Sequence, residues 1–403
     1  MTTIVYMPLK EKQLGFYLIL AAFGVLVLVG LLAAWYMESN GHYVTGMNNQ
    51  VVWGLPHVFA IFLIVAASGA LNTASIASVF RKTVYKPLAR YSALMAITLL
   101  IGGLTVLVLD LGRPDRLIIA MTHYNFTSIF AWNIILYTGL ILVAVIYLWT
   151  MLEARMAGYN HQAGMAAFIW RIVLTTGTGS IFGFIIARSA FDAAILAPMF
   201  VVMSLGFGTA CNLIGMLTLF PWNNRPLGED LVHRFRKNLG IFVATNLYFV
   251  AVYHLTNLYF RNHQEAEQFI LFTGNIYSTL FWIGQVIVGG FIPLMLLFVE
   301  PFRRSRGSLL LASFLVILGG LAQLYVLIIG GQAYPMPLFP GMEILSSGFY
   351  DGQIAQYVPS LPEALLGISG FALTIVLTLV VLRVLPMLPQ ALIDQKQTSA
   401  RHG

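Results

Sequence analysis

His57 and Asp110 are the side chains best suited to chemistry in a sequence that has few charges. His57 stands early in one apolar segment, as Trp53-Gly54-Leu55-Pro56-His57, and Asp110-Leu111-Gly112-Arg113-Pro114-Asp115-Arg116 closes the next one. An imidazole donates, accepts and carries a proton near neutral pH. A carboxylate takes up a released proton, and a neighbouring guanidinium tunes its pKa. His57 with Asp110, backed by Arg113, is the kind of set a quinone needs: hydrogen-bond partners at its carbonyls and groups that exchange protons when it is reduced or oxidised. The structural alternative is a tied-down helix end, with Asp110 paired to Arg113 or Arg116.

Further polar groups sit within apolar segments, where ionisable residues are costly and are functional hypotheses by default. Asn133 and Tyr137 enter the fourth segment from the same side as His57 and Asp110, and are candidate partners of the same quinone ring. His254 with Asn257 ends the seventh segment there, and Arg188 and Asp192 share a short turn. Asn133 and Asn257 would equally serve as bonds between helices, and Arg188 with Asp192 as a helix-end ion pair. Arg171 lies inside the fifth segment, either snorkelling to the near surface or joining a polar path. Arg171, Asn246 and His254 are the candidates for a proton path, and Gln285 and Gln323 offer further hydrogen-bonding groups in the second half.

The elements that must hold these residues follow from composition. Hydrophobic residues make up 59% and charged residues 9% of the 403, and the mean hydropathy is +0.83. No soluble globular fold accommodates that. A hydrocarbon core takes about 20 apolar residues per helix, and the apolar runs have this length without alternating, which excludes a transmembrane barrel. Ten spans are expected, at 14–36, 54–80, 91–111, 127–152, 164–187, 192–220, 239–260, 274–299, 309–331 and 364–385. The first is too long for a signal-peptide core and reads as a retained helix.

The net charge of +7 marks topology rather than a nucleic-acid partner. Seventeen Lys and Arg outside the spans or, as Arg383, in a span's last turn fall on one side, including Arg81, Arg225, Arg234 and Arg303, and four fall on the other: Arg113, Arg116, Arg188 and Arg261. By the positive-inside rule both termini are cytoplasmic and Asp110 faces outward. The segment 332–363 has no Lys or Arg, is rich in Pro and Gly, and is long for a connector; an outer docking surface or cap is expected there.

Gly69-Ala70-Leu71-Asn72 in the second span has an echo in Thr209-Ala210-Cys211-Asn212 in the sixth. The apolar runs make this an all-α polytopic membrane protein of one integral domain, and the echo suggests how its helices are grouped. Within it, two tandem four-helix bundles would occupy 54–187, with a quinone pocket, and 192–331, flanked by spans one and ten. The single cysteine, Cys211, cannot hold an iron-sulfur cluster, which needs about four thiolates. A haem between His57 and His254 is conceivable, but no helix carries a pair of suitably spaced histidines. A transporter would show a broken span, for which Thr175-Thr176-Gly177-Thr178-Gly179-Ser180 is the candidate.

At Asp110-Leu111-Gly112-Arg113-Pro114, following Gly102-Gly103, the sequence resembles the NrfD/PsrC family of membrane quinone-interacting subunits. Trp53-Gly54-Leu55-Pro56-His57 and the ten spans look most like the DsrP members of that family. The resemblance implies a subunit of a respiratory or sulfur-metabolism complex in the bacterial inner membrane, without haem or iron-sulfur clusters of its own. It would exchange electrons between menaquinone or ubiquinone and an outer ferredoxin-like iron-sulfur subunit, with possible coupling to proton movement. That subunit would be DsrO-like, accompanied by DsrJ-, DsrM- and DsrK-like subunits and membrane lipid. Asp110, Gly112, Arg113 and Pro114 match the family motif directly; His57 matches by helix and depth.

Overall fold

The computed structural model describes residues 4–9, 14–336 and 352–392. Among these residues, ten helical stretches are long and apolar enough to cross a membrane. They coincide with the ten expected spans. The first is α1 (Leu14–Asn40), and the second is divided into α2 (Leu55–Ala70) and α3 (Asn72–Ser78). After α4 (Ala89–Leu109) comes a short α5 (Leu117–Thr122), then α6 (Ile129–Leu152), α7 (Asn160–Gly183), α8 (Leu196–Trp222) and α9 (Glu229–Tyr259). An amphipathic α10 (Arg261–Phe272) precedes the eighth span, which runs through α11 (Ile276–Thr279), a π-helix over Leu280–Phe291 and α12 (Ile292–Phe298). The ninth comprises α13 (Arg306–Tyr325), a π-turn over Val326–Gly330 and α14 (Gly331–Ala333); α15 (Leu361–Val384) is the tenth.

The second span, buried on all sides, is the axis of the fold. It packs against α4, α8, α13 and α15, while α1 lies outside on α15 with most of its surface free for lipid. Small residues make the α2–α8 crossing possible. A methyl group on Gly69 would stand 1.5 Å from the Ser204 carbonyl oxygen, and one on Gly208 2.0 Å from the Ala70 nitrogen. The two echoing motifs thus meet each other, and Asn212 Nδ2 donates to the Ala70 carbonyl at 2.9 Å. At this crossing the helix is interrupted at Leu71. The Gly-rich run at Thr175–Ser180, expected as a possible break, lies inside continuous α7, where Thr175, Thr178 and Ser180 return their hydroxyls to carbonyls one turn back.

The arginines sort to one end. Arg225 donates to the carbonyls of Met7, Pro8, Leu388 and Pro389, clasping β1 (Tyr6–Met7) and β2 (Leu388–Pro389), an antiparallel pair that joins the two ends of the described residues. Arg90 bonds the Met151 and Pro386 carbonyls, and Arg306 pairs with Glu229 at this same end. Lys10, Lys12, Lys396 and Arg401 lie outside the described residues, as do Pro337, Pro340, Gly341, Phe349 and Tyr350 of the expected outer segment.

Candidate functional site

At the opposite end, Asp110 caps α4, and its backbone N–H bonds the Val106 carbonyl. Two residues on, Gly112 sits at φ +70°, a left-handed conformation that glycine adopts without penalty, and turns the backbone away. A carboxylate at the C-terminus of its own helix meets the negative end of that dipole. The compensation comes from α2. Gly54 precedes the helix, Pro56 starts it where a missing N–H costs nothing, and His57 stands in the first turn. His57 Nδ1 lies 2.8 Å from Asp110 Oδ2. Asp110 is only 5% exposed, and its other oxygen, Oδ1, is buried with no protein partner.

Trp53 roofs the pair. Its indole is nearly parallel to the His57 ring at 6.1 Å and meets Phe130 of α6 and Phe182 of α7 at 5.9 and 5.8 Å. The elements around His57 are thus joined through one aromatic side chain.

Arg113 does not back Asp110. It forms a bidentate pair with Asp115, Nε to Oδ1 at 3.0 Å and Nη2 to Oδ2 at 2.9 Å, and both side chains are largely exposed. Two residues apart across the Pro114 turn, they meet at no cost in desolvation, whereas reaching Asp110 would bury the guanidinium. These hydrogen bonds, with the charge pairing, hold Asp115 below the usual carboxylate range and Arg113 above its ordinary value. The pair's contribution is present above the ordinary aspartate pKa and is lost as pH falls through the lowered one. Arg188 likewise does not pair with Asp192; it donates to the Gln50 and Gln332 carbonyls at 2.7 and 2.8 Å and ties the loop before α2 to α14.

Asn133 and Tyr137 join α6 to α7. Asn133 Nδ2 donates to the Ile129 and Gly177 carbonyls, its oxygen accepts from Thr178, and the Tyr137 hydroxyl meets the same threonine at 3.4 Å. Among the described hydrogen bonds none links them to His57 or Asp110. Arg171 does not snorkel. It is buried in α7 and donates to Asn72 Oδ1 at 2.8 Å, at the break between α2 and α3. Asn246 and His254 both lie on α9, well away from Arg171's contacts, so the three proton-path candidates divide into two places.

Two buried carboxylates escape the sequence reading. Glu363, 0% exposed in the first turn of α15, accepts from the Gly46 N–H, the Tyr357 hydroxyl and the Ser360 N–H at 2.7–2.8 Å. Tyr357 in turn accepts from the Leu55 N–H at 2.7 Å, so Glu363 fixes the start of α2 just ahead of His57. The Ser360-x-x-Glu363 spacing is a helix-start signature that could have placed it. Glu267, on α10, is 1% exposed and meets His254. Its surroundings, Arg261-Asn262-His263-Gln264-Glu265, read as an exposed loop because the apolar residues of this helix cover a single face.

An apolar cleft of about 650 Å³ opens on another side of α2, lined by Leu55, Val58 and Phe59 together with Leu318, Leu321 and Tyr325. Leu55 and Phe59 are each about 200° of helical turn from His57, so this cleft is not the expected pocket beside the His57–Asp110 pair.

The protein is 28% identical over 363 residues to the Hdr-like menaquinol oxidoreductase integral membrane subunit of Archaeoglobus fulgidus, covering 89% of its own length and 91% of that relative's. It is 24% identical to a subunit of the selenate reductase of Mesobacillus selenatarsenatis, over 94% and 95% of the two lengths. It is also 22% identical to the menaquinone reductase integral membrane subunit of Nitratidesulfovibrio vulgaris, over 78% and 81%. The family model described as polysulphide reductase, NrfD, matches residues 43–336, well over half of the 403, and the protein belongs to that family.

Proposed function

We propose that this protein is the quinone-reactive membrane subunit of a redox complex, passing electrons between membrane quinone and an iron-sulfur subunit docked on the face that carries Asp110. The observation that carries the reading is the His57–Asp110 pair, a buried carboxylate on an imidazole at one end of the helices. With Nδ1 engaged by Asp110, Nε2 of His57 is the nitrogen left to bond a quinone oxygen. Asp110 holds the ring in one orientation and compensates the charge when His57 takes a proton; its free Oδ1 offers a second place for it. Trp53 supplies a flat aromatic wall. Asn133 and Tyr137, behind Phe130 and Phe182, would act by fixing α6 against α7 rather than by touching the ring first. Bound quinone supplies the two-electron, two-proton chemistry.

Menaquinone is the favoured quinone, since the Archaeoglobus relative is named for menaquinol and the Nitratidesulfovibrio relative for menaquinone. The first bundle, 54–187, would carry the pocket, the second, 192–331, would pack on it through α8, and the exposed Arg113–Asp115 pair would belong to the docking face. The partner would be ferredoxin-like, as DsrO is, with DsrJ-, DsrM- and DsrK-like subunits completing a complex in the bacterial cytoplasmic membrane.

The test uses the purified complex. Menaquinol-dependent reduction of the partner's clusters falls by about 100-fold or more in Asp110→Asn and in His57→Ala, while subunit composition on size-exclusion chromatography is unchanged. Wild-type rates in both variants would reject the site.

A further inference from the structure

The second half of the molecule holds a polar thread that the quinone reading does not use. At the end away from the arginine clasp Glu267 is buried against α9: His254 Nδ1 and Glu267 Oε1 are hydrogen-bonded, and Asn257 Nδ2 donates to Oε2 at 3.2 Å. His263 lies one helical turn before Glu267 on the same face of α10, and its Nδ1 is buried without a partner. Inward from His254 come two cavities of about 20 Å³ each. The first is lined by Tyr253, His254, Gln285 and Gln323; the second shares both glutamines and adds Asn246. Phe242 and Val243 are among its apolar walls.

Each cavity exceeds the roughly 10–15 Å³ that one water needs, and the walls are wired for it. Asn246 Nδ2 donates to Gln323 Oε1 at 2.9 Å, which leaves Asn246 Oδ1 and Gln323 Nε2 buried and unpaired. Turning both amides over would exchange the roles but still leave one donor and one acceptor free. A water donating to the first and accepting from the second satisfies both, whereas unpaired groups are heavily penalised inside a membrane. The backbone is modified at the same place: Gln285 lies in the π-helix Leu280–Phe291, and a π-turn begins at Val326, three residues after Gln323. Such distortions concentrate at functional sites.

We propose that Glu267 and His254, with the hydrated thread to Asn246, form a proton-exchange site open toward α10 and closed at Phe242 and Val243 toward the arginine-rich end. In the unloaded state Glu267 is a carboxylate accepting the Nδ1–H of neutral His254. A proton delivered by water bonds to Nε2, giving an imidazolium whose charge Glu267 balances; release breaks that N–H bond, and no electron moves. Of the other titratable groups around these helices, Tyr253 meets the His254 ring at 4.9 Å and His263 lies one turn before Glu267 on α10, while Tyr277 packs on Phe269 of α10 and the exposed Glu265 accepts from the Tyr334 hydroxyl at 3.0 Å. The site stands apart from His57 and Asp110 and does not depend on the quinone reading.

Infrared difference spectroscopy of the intact complex in oriented proteoliposomes tests this. A pH jump on the α10 side is expected to give an imidazolium band coupled to a carboxylate shift before the other compartment changes pH. Both signals are lost in Glu267→Gln and His254→Gln and restored in Glu267→Asp, with the complex still assembled on size-exclusion chromatography. In Gln323→Leu the signal persists but its exchange in D2O slows, because the water loses its donor. A signal unchanged in Glu267→Gln, or one that follows a pH jump on the arginine-rich side first, overturns the proposal.

Discussion

Asp110 carries a negative charge at the negative end of its own helix dipole, so it needs a partner from elsewhere. The first turn of α2 supplies one, both as the His57 imidazole and as the positive end of a helix. The residue types of this pair and their grouping in one set were legible in the sequence, but their direct hydrogen bond was not. Arg113, three residues away, was the expected neighbour, yet it takes the exposed Asp115, since leaving water would cost it more than Asp110 could return. The residue that holds the site's backbone in place is Glu363, which gathers three donors from two segments, Gly46 before α2 and the Tyr357–Ser360 stretch that leads into α15. Glu363→Gln replaces one acceptor oxygen by a donor that faces donors. It is expected to lower stability by roughly 2–4 kcal/mol, read as a fall in the thermal midpoint of the purified complex, with quinol oxidation declining in parallel as the start of α2 loosens. An unchanged midpoint would show that Glu363 is not what holds the segment.

At the scale of elements, the span boundaries followed from apolar run length, and the departures have physical causes. The seventh helix starts at Glu229, ten residues before the apolar run, because Asp230 with Arg234, and Glu229 with Arg306, give its polar first turns ion pairs beyond the expected hydrocarbon boundary. The amphipathic α10 was missed because one buried stripe in a polar sequence has no hydropathy signal. The α2–α8 crossing depends on Gly69 and Gly208, where backbones meet without side chains between them. Gly69→Val places a branched side chain into the Ser204 carbonyl and is expected to cost about 3 kcal/mol or more. Reduced yield of intact complex in mild detergent, against normal yield for the lipid-exposed Leu28→Val, is the measurement that checks it.

For the whole molecule, the arginines that separate by sequence count also gather at one end in space, bonding the carbonyls of segments from both termini. The His57–Asp110 pair lies at the other end. Two probes test the orientation. Tyr43, 82% exposed near Asp110's end, and Phe80, exposed in the loop before α4, are each replaced by Cys. The native Cys211 is buried and adds little background. A membrane-impermeant maleimide applied to spheroplasts is expected to label Tyr43→Cys and to reach Phe80→Cys only after lysis; the reverse pattern would place the quinone site on the cytoplasmic face.

The sequence by itself determined that this is a ten-span helical membrane protein, because apolar run length and charge asymmetry are properties read one segment at a time. It also determined which residue types were available for proton chemistry and, through the Asp110–Pro114 motif, the family. Only the tertiary structure decided that His57 rather than Arg113 meets Asp110, that Asn133 joins two helices, and that Arg171 serves the break in the second span. It also brought the polar α10 over His254, so that Glu267 became a buried partner. These outcomes depend on which helix faces which, and that is settled by close packing at positions such as Gly69 and Gly208, whose contacts lie more than a hundred residues apart in the sequence.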